Sequence, residues 1–228
     1  MTKVKICGIT NKDDAFWAAS LGADFVGINL SRVSKRHVSI AMAGEIIAAL
    51  PPFTIPVLVF VDEPAVVIAR AVAKLRVRHI QLHGTETPQT CTEIRGVVPG
   101  GVLIKAVRVE QRRPADDTDR AAMAGLLIEQ AAPYTSVVDH LLFDVRLEGE
   151  PGGTGVSFDW SVLAAARPRL EALGARSCFL AGGLTPDNVA EAIETVDPFA
   201  VDAASGVERL PRRKDFEKMK LFIRNAKG

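Results

Sequence analysis

Short runs of β-branched and aromatic residues recur along the chain. They alternate with Ala- and Leu-rich segments whose apolar positions repeat every three to four residues. The runs begin near Lys3 (VKICGI), Asp24 (DFVGINL), Ile55 (IPVLVFV), Arg78 (RHIQLHG), Val102 (VLIKAV), Asp139 (DHLLFDV), Ser177 (SCFLAGG) and Phe199 (FAVDAASG). Successive starts lie 21 to 38 residues apart, room each time for a strand, a loop and a crossover helix. Each amphipathic helix has one face to bury and needs a sheet beneath it. Eight such units predict an α/β protein, a single-domain (β/α)8 TIM barrel over residues 1–228, with an open doubly wound sheet as the alternative.

Several helix ends are marked. One helix is expected from about Lys12 to Leu21, capped by Thr10 or Asn11 and closed by Gly22. Another opens at Thr185-Pro186-Asp187, with Pro186 at its first position and Val189, Ile193 and Val196 on one face. The last, about Lys214 to Ala226, aligns Phe216, Met219 and Ile223. Val109 to Arg120 and Arg146 to Ser157 are polar and read as long loops after strands five and six; Gly152-Gly153-Thr154-Gly155 is a candidate lid or a simple turn.

Composition narrows the function. The 28 Lys+Arg against 27 Asp+Glu give a net charge of +1, without the basic excess of a nucleic-acid binder. The longest apolar stretches, such as Pro56 to Val61, fall far short of the roughly 20 residues of a membrane span. Cys7, Cys91 and Cys178 are too scattered for a disulfide scaffold or a zinc site. Met1-Thr2-Lys3-Val4-Lys5 lacks a signal peptide's apolar region. The expectation is a cytoplasmic protein without nucleic-acid or membrane partners, a monomer or weak homodimer.

In a parallel barrel the catalytic rim lies at the strands' C-terminal ends. Gly182-Gly183 and Ala204-Ser205-Gly206 end strands seven and eight, neighbouring exits where backbone N–H groups can cradle a phosphate; taken singly, each reads first as a tight turn that needs glycine, and their pairing at these two exits turns the reading to phosphate. Cys7 closes the first strand and could act as nucleophile or base. Cys91 and Cys178 read as buried structural residues. Asp144 follows three apolar residues at the end of strand six. There it reads either as a general acid with a raised pKa or as a partner for a loop arginine such as Arg146. Arg32, Lys35, Arg36 and His37 form a basic run after strand two: a solvated loop, or a guanidinium held over the mouth to grip a substrate carboxylate. His83 is a candidate substrate contact, whereas His79 and His140, near strand starts, read as structural.

These residues carry a resemblance. Val4-Lys5-Ile6-Cys7-Gly8-Ile9-Thr10, Ser34-Lys35-Arg36, Gln81-Leu82-His83-Gly84, Gly152-Gly153-Thr154-Gly155 with Phe158-Asp159-Trp160, Leu180-Ala181-Gly182-Gly183-Leu184 with Asn188-Val189, and Val201-Asp202 through Ser205-Gly206-Val207-Glu208 occur in order. Together they resemble the phosphoribosylanthranilate isomerase family of tryptophan biosynthesis. The resemblance implies an Amadori rearrangement of N-(5-phosphoribosyl)anthranilate to 1-(2-carboxyphenylamino)-1-deoxyribulose 5-phosphate, without metal or organic cofactor.

By position, the resemblance makes Cys7 the general base, Asp144 the general acid and Arg36 the contact for the anthranilate carboxylate. It places the phosphate on amides around Gly182, Gly183, Ser205 and Gly206, and lines the site with His83 and Asp202. The chain departs from the family pattern at Ile28 to Val33, which lacks aromatics, at His37, at Ala204, and at Arg212, where glycine is usual. The alternatives are a related aminoaldose-phosphate isomerase of the histidine type or acting on a modified anthranilate, and a non-catalytic phosphate-binding barrel. The histidine-type reading needs Asp at strands one and five, where Cys7 and Ala106 stand.

Overall fold

The computed structural model describes residues 1–110, 113–146, 159–175 and 177–228. Its elements run β1 (Lys3–Cys7), α1 (Lys12–Ser20), β2 (Phe25–Asn29), α2 (Ile40–Ala48), β3 (Ile55–Phe60), α3 (Ala65–Leu75), β4 (His79–Leu82), α4 (Pro88–Val97), β5 (Val102–Glu110) and α5 (Asp117–Ala131). There follow β6 (His140–Arg146), α6 (Ser161–Ala172), β7 (Cys178–Ala181), α7 (Val189–Val196), β8 (Ala200–Ala203), β9 (Glu208–Leu210), β10 (Arg213–Lys214) and α8 (Phe216–Lys227). Strands β1 to β8 close into a barrel in chain order, every neighbour parallel, and β8 returns to β1 through Lys3↔Ala200 and Lys5↔Asp202. The open-sheet alternative is thereby excluded.

The two-residue period of a strand divides the core into two layers. Outward residues such as Val4, Ile6, Val26, Ile28, Leu58, Phe60, Ile80 and Leu82 pack with the helices in the larger cluster. Inward residues Phe25, Val57, Ile104, Ala106, Leu142, Phe179, Ala181 and Ala200 fill the barrel. Apolar runs with no polar alternation are what a sheet covered on both faces requires.

Asn11 is the residue that caps α1, accepting from the Asp14 N–H, and Gly22 follows the helix at φ +99°. Strand β5 runs past its expected end because its pairing with β6 continues from Ile104↔His140 to Glu110↔Arg146. The expected loop from Val109 is shortened further by α5, which starts at Asp117 with Asp116 accepting from the Asp119 N–H. Helix α7 begins at Val189 rather than Pro186. Thr185 instead organises a turn: its Oγ1 accepts from the Asp187 N–H and its carbonyl from the Val189 N–H. Helix α8 begins at Phe216 because Arg213 and Lys214 pair with β9 in an antiparallel ribbon that hydrophobic periodicity does not announce. The candidate lid Gly152–Gly155 lies outside the described residues.

Candidate active site

The alternation that fills the barrel also builds its mouth. On the inner rows, Lys5 is followed by Cys7; Phe25 and Gly27 by Asn29; His79 and Gln81 by His83; Ile104 and Ala106 by Arg108; His140 and Leu142 by Asp144; and Ala200 by Asp202. Apolar or small residues occupy most of the middle of these rows, and polar groups the C-terminal ends. Arg108 and Asp144 are register partners on adjoining strands.

Behind Cys7 lies a buried ion pair. The ammonium of Lys5, fully buried on β1, donates to Asp202 Oδ2 of β8 at 2.8 Å. Burial acts to lower the Lys5 pKa, but attraction to Asp202, to which it is hydrogen-bonded, and to Cys7 outweighs burial and holds the ammonium above its ordinary value. Burial pushes the Cys7 thiol up, against the opposing pull of Lys5. Cys7 thus rests as a thiol with a cation in place to stabilise the thiolate. Asp202 Oδ1 is buried with no hydrogen-bond partner among the described residues. Cys178 and the buried Cys91 also have raised thiol pKa values, burial pushing the latter to about 11, consistent with structural roles.

Across the mouth, Asp144 Oδ2 lies 2.9 Å from His83 Nε2, and His83 Nδ1 lies 2.6 Å from the amide nitrogen of Gln81. With the Gln81 amide donating to Nδ1, the imidazole carries its proton on Nε2 and presents it to Asp144. His83, expected to contact substrate, therefore also orients the acid candidate. Gln81, fully buried on β4, orients the histidine.

Arg36 reaches the mouth from the loop after β2. Its Nε and Nη2 donate to the two oxygens of Glu208 at 2.7 and 2.6 Å, the bidentate geometry to which a guanidinium is suited. This bond is the largest influence raising the Arg36 pKa. Glu208 also accepts from the buried Lys214 at 3.3 Å, and although burial works to raise its pKa, these cations hold it below the ordinary value. The Nε edge of Arg36 is thus committed to the protein, leaving the Nη1 side for a ligand. The crossing depends on Gly8, which sits at φ +73° and whose missing Cβ would overlap Arg36 Cδ.

The two glycine turns form one structure. Gly182 and Gly183 adopt φ +91° and +64°. A Cβ on Gly206 would overlap the Leu184 carbonyl, so the β8 exit packs directly on the β7 exit. Asn188 closes the first turn, accepting from the Thr185 N–H and donating to the Gly183 carbonyl. Ser205 starts the short 3-10 turn Ser205–Val207 that leads to Glu208.

The structure therefore gathers Cys7, Asp144, His83, Asp202 and Arg36 around one mouth, with the glycine turns beside it. Lys5, Gln81, Glu208 and Lys214 were not singled out from the residues alone. Lys5 did carry a signal, a charge two positions before Cys7 and so on the same face. A cavity of about 200 Å³ lies elsewhere, lined by Phe143, Cys178 and Phe199, and its charged residues Arg167, Glu171 and Asp197 are paired among themselves. Among the described residues no helix is long and apolar enough to cross a membrane.

Comparison with known proteins bears on the fold and the family. The family model described as N-(5'phosphoribosyl)anthranilate (PRA) isomerase matches residues 4–225. The N-(5'-phosphoribosyl)anthranilate isomerase of Geobacter metallireducens is 39% identical over 228 residues, covering 100% of both chains. The crystal structure of phosphoribosyl anthranilate isomerase from Thermotoga maritima superposes with a TM-score of 0.85 at 38% identity, again over 100% of both chains. A phosphoribosyl anthranilate isomerase in complex with reduced 1-(o-carboxyphenylamino)-1-deoxyribulose 5-phosphate gives a TM-score of 0.82 at 37% identity and the same coverage. With its barrel and its whole length in common with these proteins, the chain belongs to the N-(5'-phosphoribosyl)anthranilate isomerase family.

Proposed function

We infer that this barrel catalyses the Amadori rearrangement of N-(5-phosphoribosyl)anthranilate to 1-(2-carboxyphenylamino)-1-deoxyribulose 5-phosphate by general acid–base catalysis. One observation carries the reading. A thiol that follows a buried, paired ammonium on the inner row ends β1, a carboxyl oriented by a histidine ends β6, and a half-buried guanidinium and paired glycine turns flank them.

The phosphate binds at Gly182, Gly183, Ser205 and Gly206, where backbone N–H groups supply positive ends without bulk. The carboxylate of the anthranilate ring takes the free edge of Arg36. Asp144 gives a proton to the ribose ring oxygen. The C1–O bond breaks, and the lone pair of the aniline nitrogen forms a cationic C1=N bond.

That cation adjoins Cys7 and, with Lys5, offsets the burial that otherwise raises the thiol. The thiol gives its proton to solvent and the thiolate removes the C2 proton. The C2–H electron pair forms the C1=C2 bond of an enolamine and neutralises the nitrogen. Reprotonation at C1 and loss of the C2 hydroxyl proton yield the ketone, so no electrons leave or enter and the reaction calls for no redox partner. Asp202 Oδ1 is placed to accept from a sugar hydroxyl. The only partner required is the phosphorylated substrate, and the chain works as a monomer or weak homodimer.

The test is a fluorescence assay with freshly generated phosphoribosylanthranilate. Consumption of that substrate by the parent chain, and loss of turnover in Cys7→Ser and Asp144→Asn with the fold intact, is expected. A parent chain that binds the reduced product analogue but turns nothing over would overturn the catalytic reading in favour of a binding barrel.

A further inference from the structure

Arg212 stands in the turn of the β9–β10 ribbon at φ +73°, a backbone conformation that glycine adopts freely and an arginine resists. Arg76 and Asp197, also at positive φ, close helices α3 and α7, a common place for left-handed residues. Arg212 closes no helix. What the larger residue adds is its side chain: Nη1 donates to the carbonyls of Lys35 and His37 at 3.0 Å each. These are the residues on either side of Arg36. The Arg212 backbone meets the same assembly, its N–H donating to Glu208 Oε1 at 3.3 Å and its carbonyl accepting from Thr10 Oγ1 at 2.6 Å. Glu208 Oε1 is the oxygen that holds Arg36 Nε.

We propose that Arg212 is a positioning residue for carboxylate recognition: its side chain clamps both carbonyls flanking Arg36 and so fixes the guanidinium over the barrel mouth. The proposal rests on Arg36 reading the substrate carboxylate. Beyond Arg36 the loop is also anchored to β2, where His37 bridges Asn29 and the Val38 N–H donates to the Asn29 carbonyl at 2.9 Å. Its internal bonds are Ser34 N–H to the Ser31 carbonyl, His37 N–H to the Ser34 carbonyl and Arg36 N–H to Ser34 Oγ, all within the loop itself. Glu208 fixes the guanidinium end of Arg36, and Arg212 fixes its backbone end. With both ends held, the free Nη1 edge keeps one direction before substrate arrives, and binding loses less side-chain and loop entropy.

Glycine at position 212 separates this role from a structural one, since it relieves the backbone while deleting the clamp. The probes are two competitive inhibitors, the reduced product analogue and its counterpart lacking the ring carboxylate. Arg212→Gly is expected to bind the carboxylated inhibitor about fivefold more weakly, the effect of losing a modest hydrogen-bonded contact, with the other inhibitor unaffected. KM should rise in step while kcat stays within about twofold, and the unfolding midpoint should hold or rise. Arg212→Lys, which keeps a cationic donor on a stem one atom shorter, should restore part of the affinity.

Equal affinity of Arg212→Gly and the parent for the carboxylated inhibitor would overturn the inference. So would equal weakening of both inhibitors alongside a lowered midpoint, the mark of a general structural role. Arg36→Ala tells the two readings apart. If it loses its preference for the carboxylated inhibitor and Arg212→Gly does not, this inference alone fails; if Arg36→Ala keeps the preference, the Arg36 assignment fails and this inference with it.

Discussion

The two ends of the barrel are built from the same strands and the same inward rows, yet they are chemically opposite. At the N-terminal end, Phe25, His79, His140, Phe179 and Phe199 close the interior with rings. Phe25 and Phe179 meet edge-on at 5.4 Å, and His140 stacks on Phe199 at 5.6 Å with planes 8° apart. At the C-terminal end the rows finish in Cys7, His83, Asp144 and Asp202, and the mouth adds Arg36. One end satisfies itself by packing. The other is satisfied only partly, with a buried acceptor on Asp202 still open and a guanidinium using one edge. Stability and chemistry can therefore be altered separately, and substitutions at the two ends should read out in different experiments.

The largest effects are expected at the mouth and in rate. Cys7→Ser and Asp144→Asn should each lower kcat by ~10³-fold, the scale of a positioned acid or base, with the unfolding midpoint within a few degrees of the parent. Turnover close to the parent in either would remove that residue from its role. The converse substitution is Phe179→Ala, which empties the centre of the aromatic end. It should cost about 3–5 kcal/mol of stability in a denaturant titration, while kcat per folded molecule stays near the parent value. A collapse of kcat at full occupancy of the folded state would show that the two ends are coupled.

Arg36→Ala comes next. Losing a charge-assisted contact to the substrate carboxylate should raise KM by about 30-fold with a smaller change in kcat. Glu208 remains paired with Lys214 in that variant, so the fold should survive. An unchanged KM would mean that the pair with Glu208 is the whole purpose of the guanidinium.

The difference between the ends also explains what could be read from the chain. The barrel was legible because apolar runs recur at lengths that admit nothing but strand, loop and helix. Cys7, Asp144 and His83 were legible because they end those runs, and a strand's end fixes which rim a residue joins. Arg36 was legible as a base in a basic run, but not its pairing with Glu208, which joins residues 172 positions apart through a ribbon that no periodicity announces. Lys5 was harder still. A lysine within an apolar strand reads as solvated until the register Lys5↔Asp202 shows its partner. Sequence pattern reports which face a residue takes, whereas ion pairs depend on which strands closure brings side by side. The aromatic end was half legible: His79 and His140 stood at strand starts and read as structural, but their common layer with Phe25 and Phe179 required the closed ring.

The smallest effect concerns that layer and depends on pH. Burial holds the imidazoles of His79 and His140 below their ordinary value, with repulsion from His140 adding to it at His79, while the neighbouring Asp139 acts in the opposite sense on both. The neutral forms are therefore favoured in the folded chain. Their contribution is complete above the unfolded histidine value of about 6.5 and is lost as pH falls through the folded values, because unfolding then takes up protons. Carboxylates with depressed values, Asp24, Asp139 and Glu208, lose their contributions in a separate and lower window, below about pH 4. A plot of unfolding midpoint against pH should thus be level near pH 7 to 8 and fall by a few degrees between about pH 6.5 and 5, before Asp24, Asp139 and Glu208 are protonated. Replacing both histidines by phenylalanine should flatten that segment and leave the drop below pH 4 in place. A double variant with the same slope between pH 6.5 and 5 would assign the acid sensitivity to the charged mouth instead, and the aromatic end would then be inert to protons as well as to substrate.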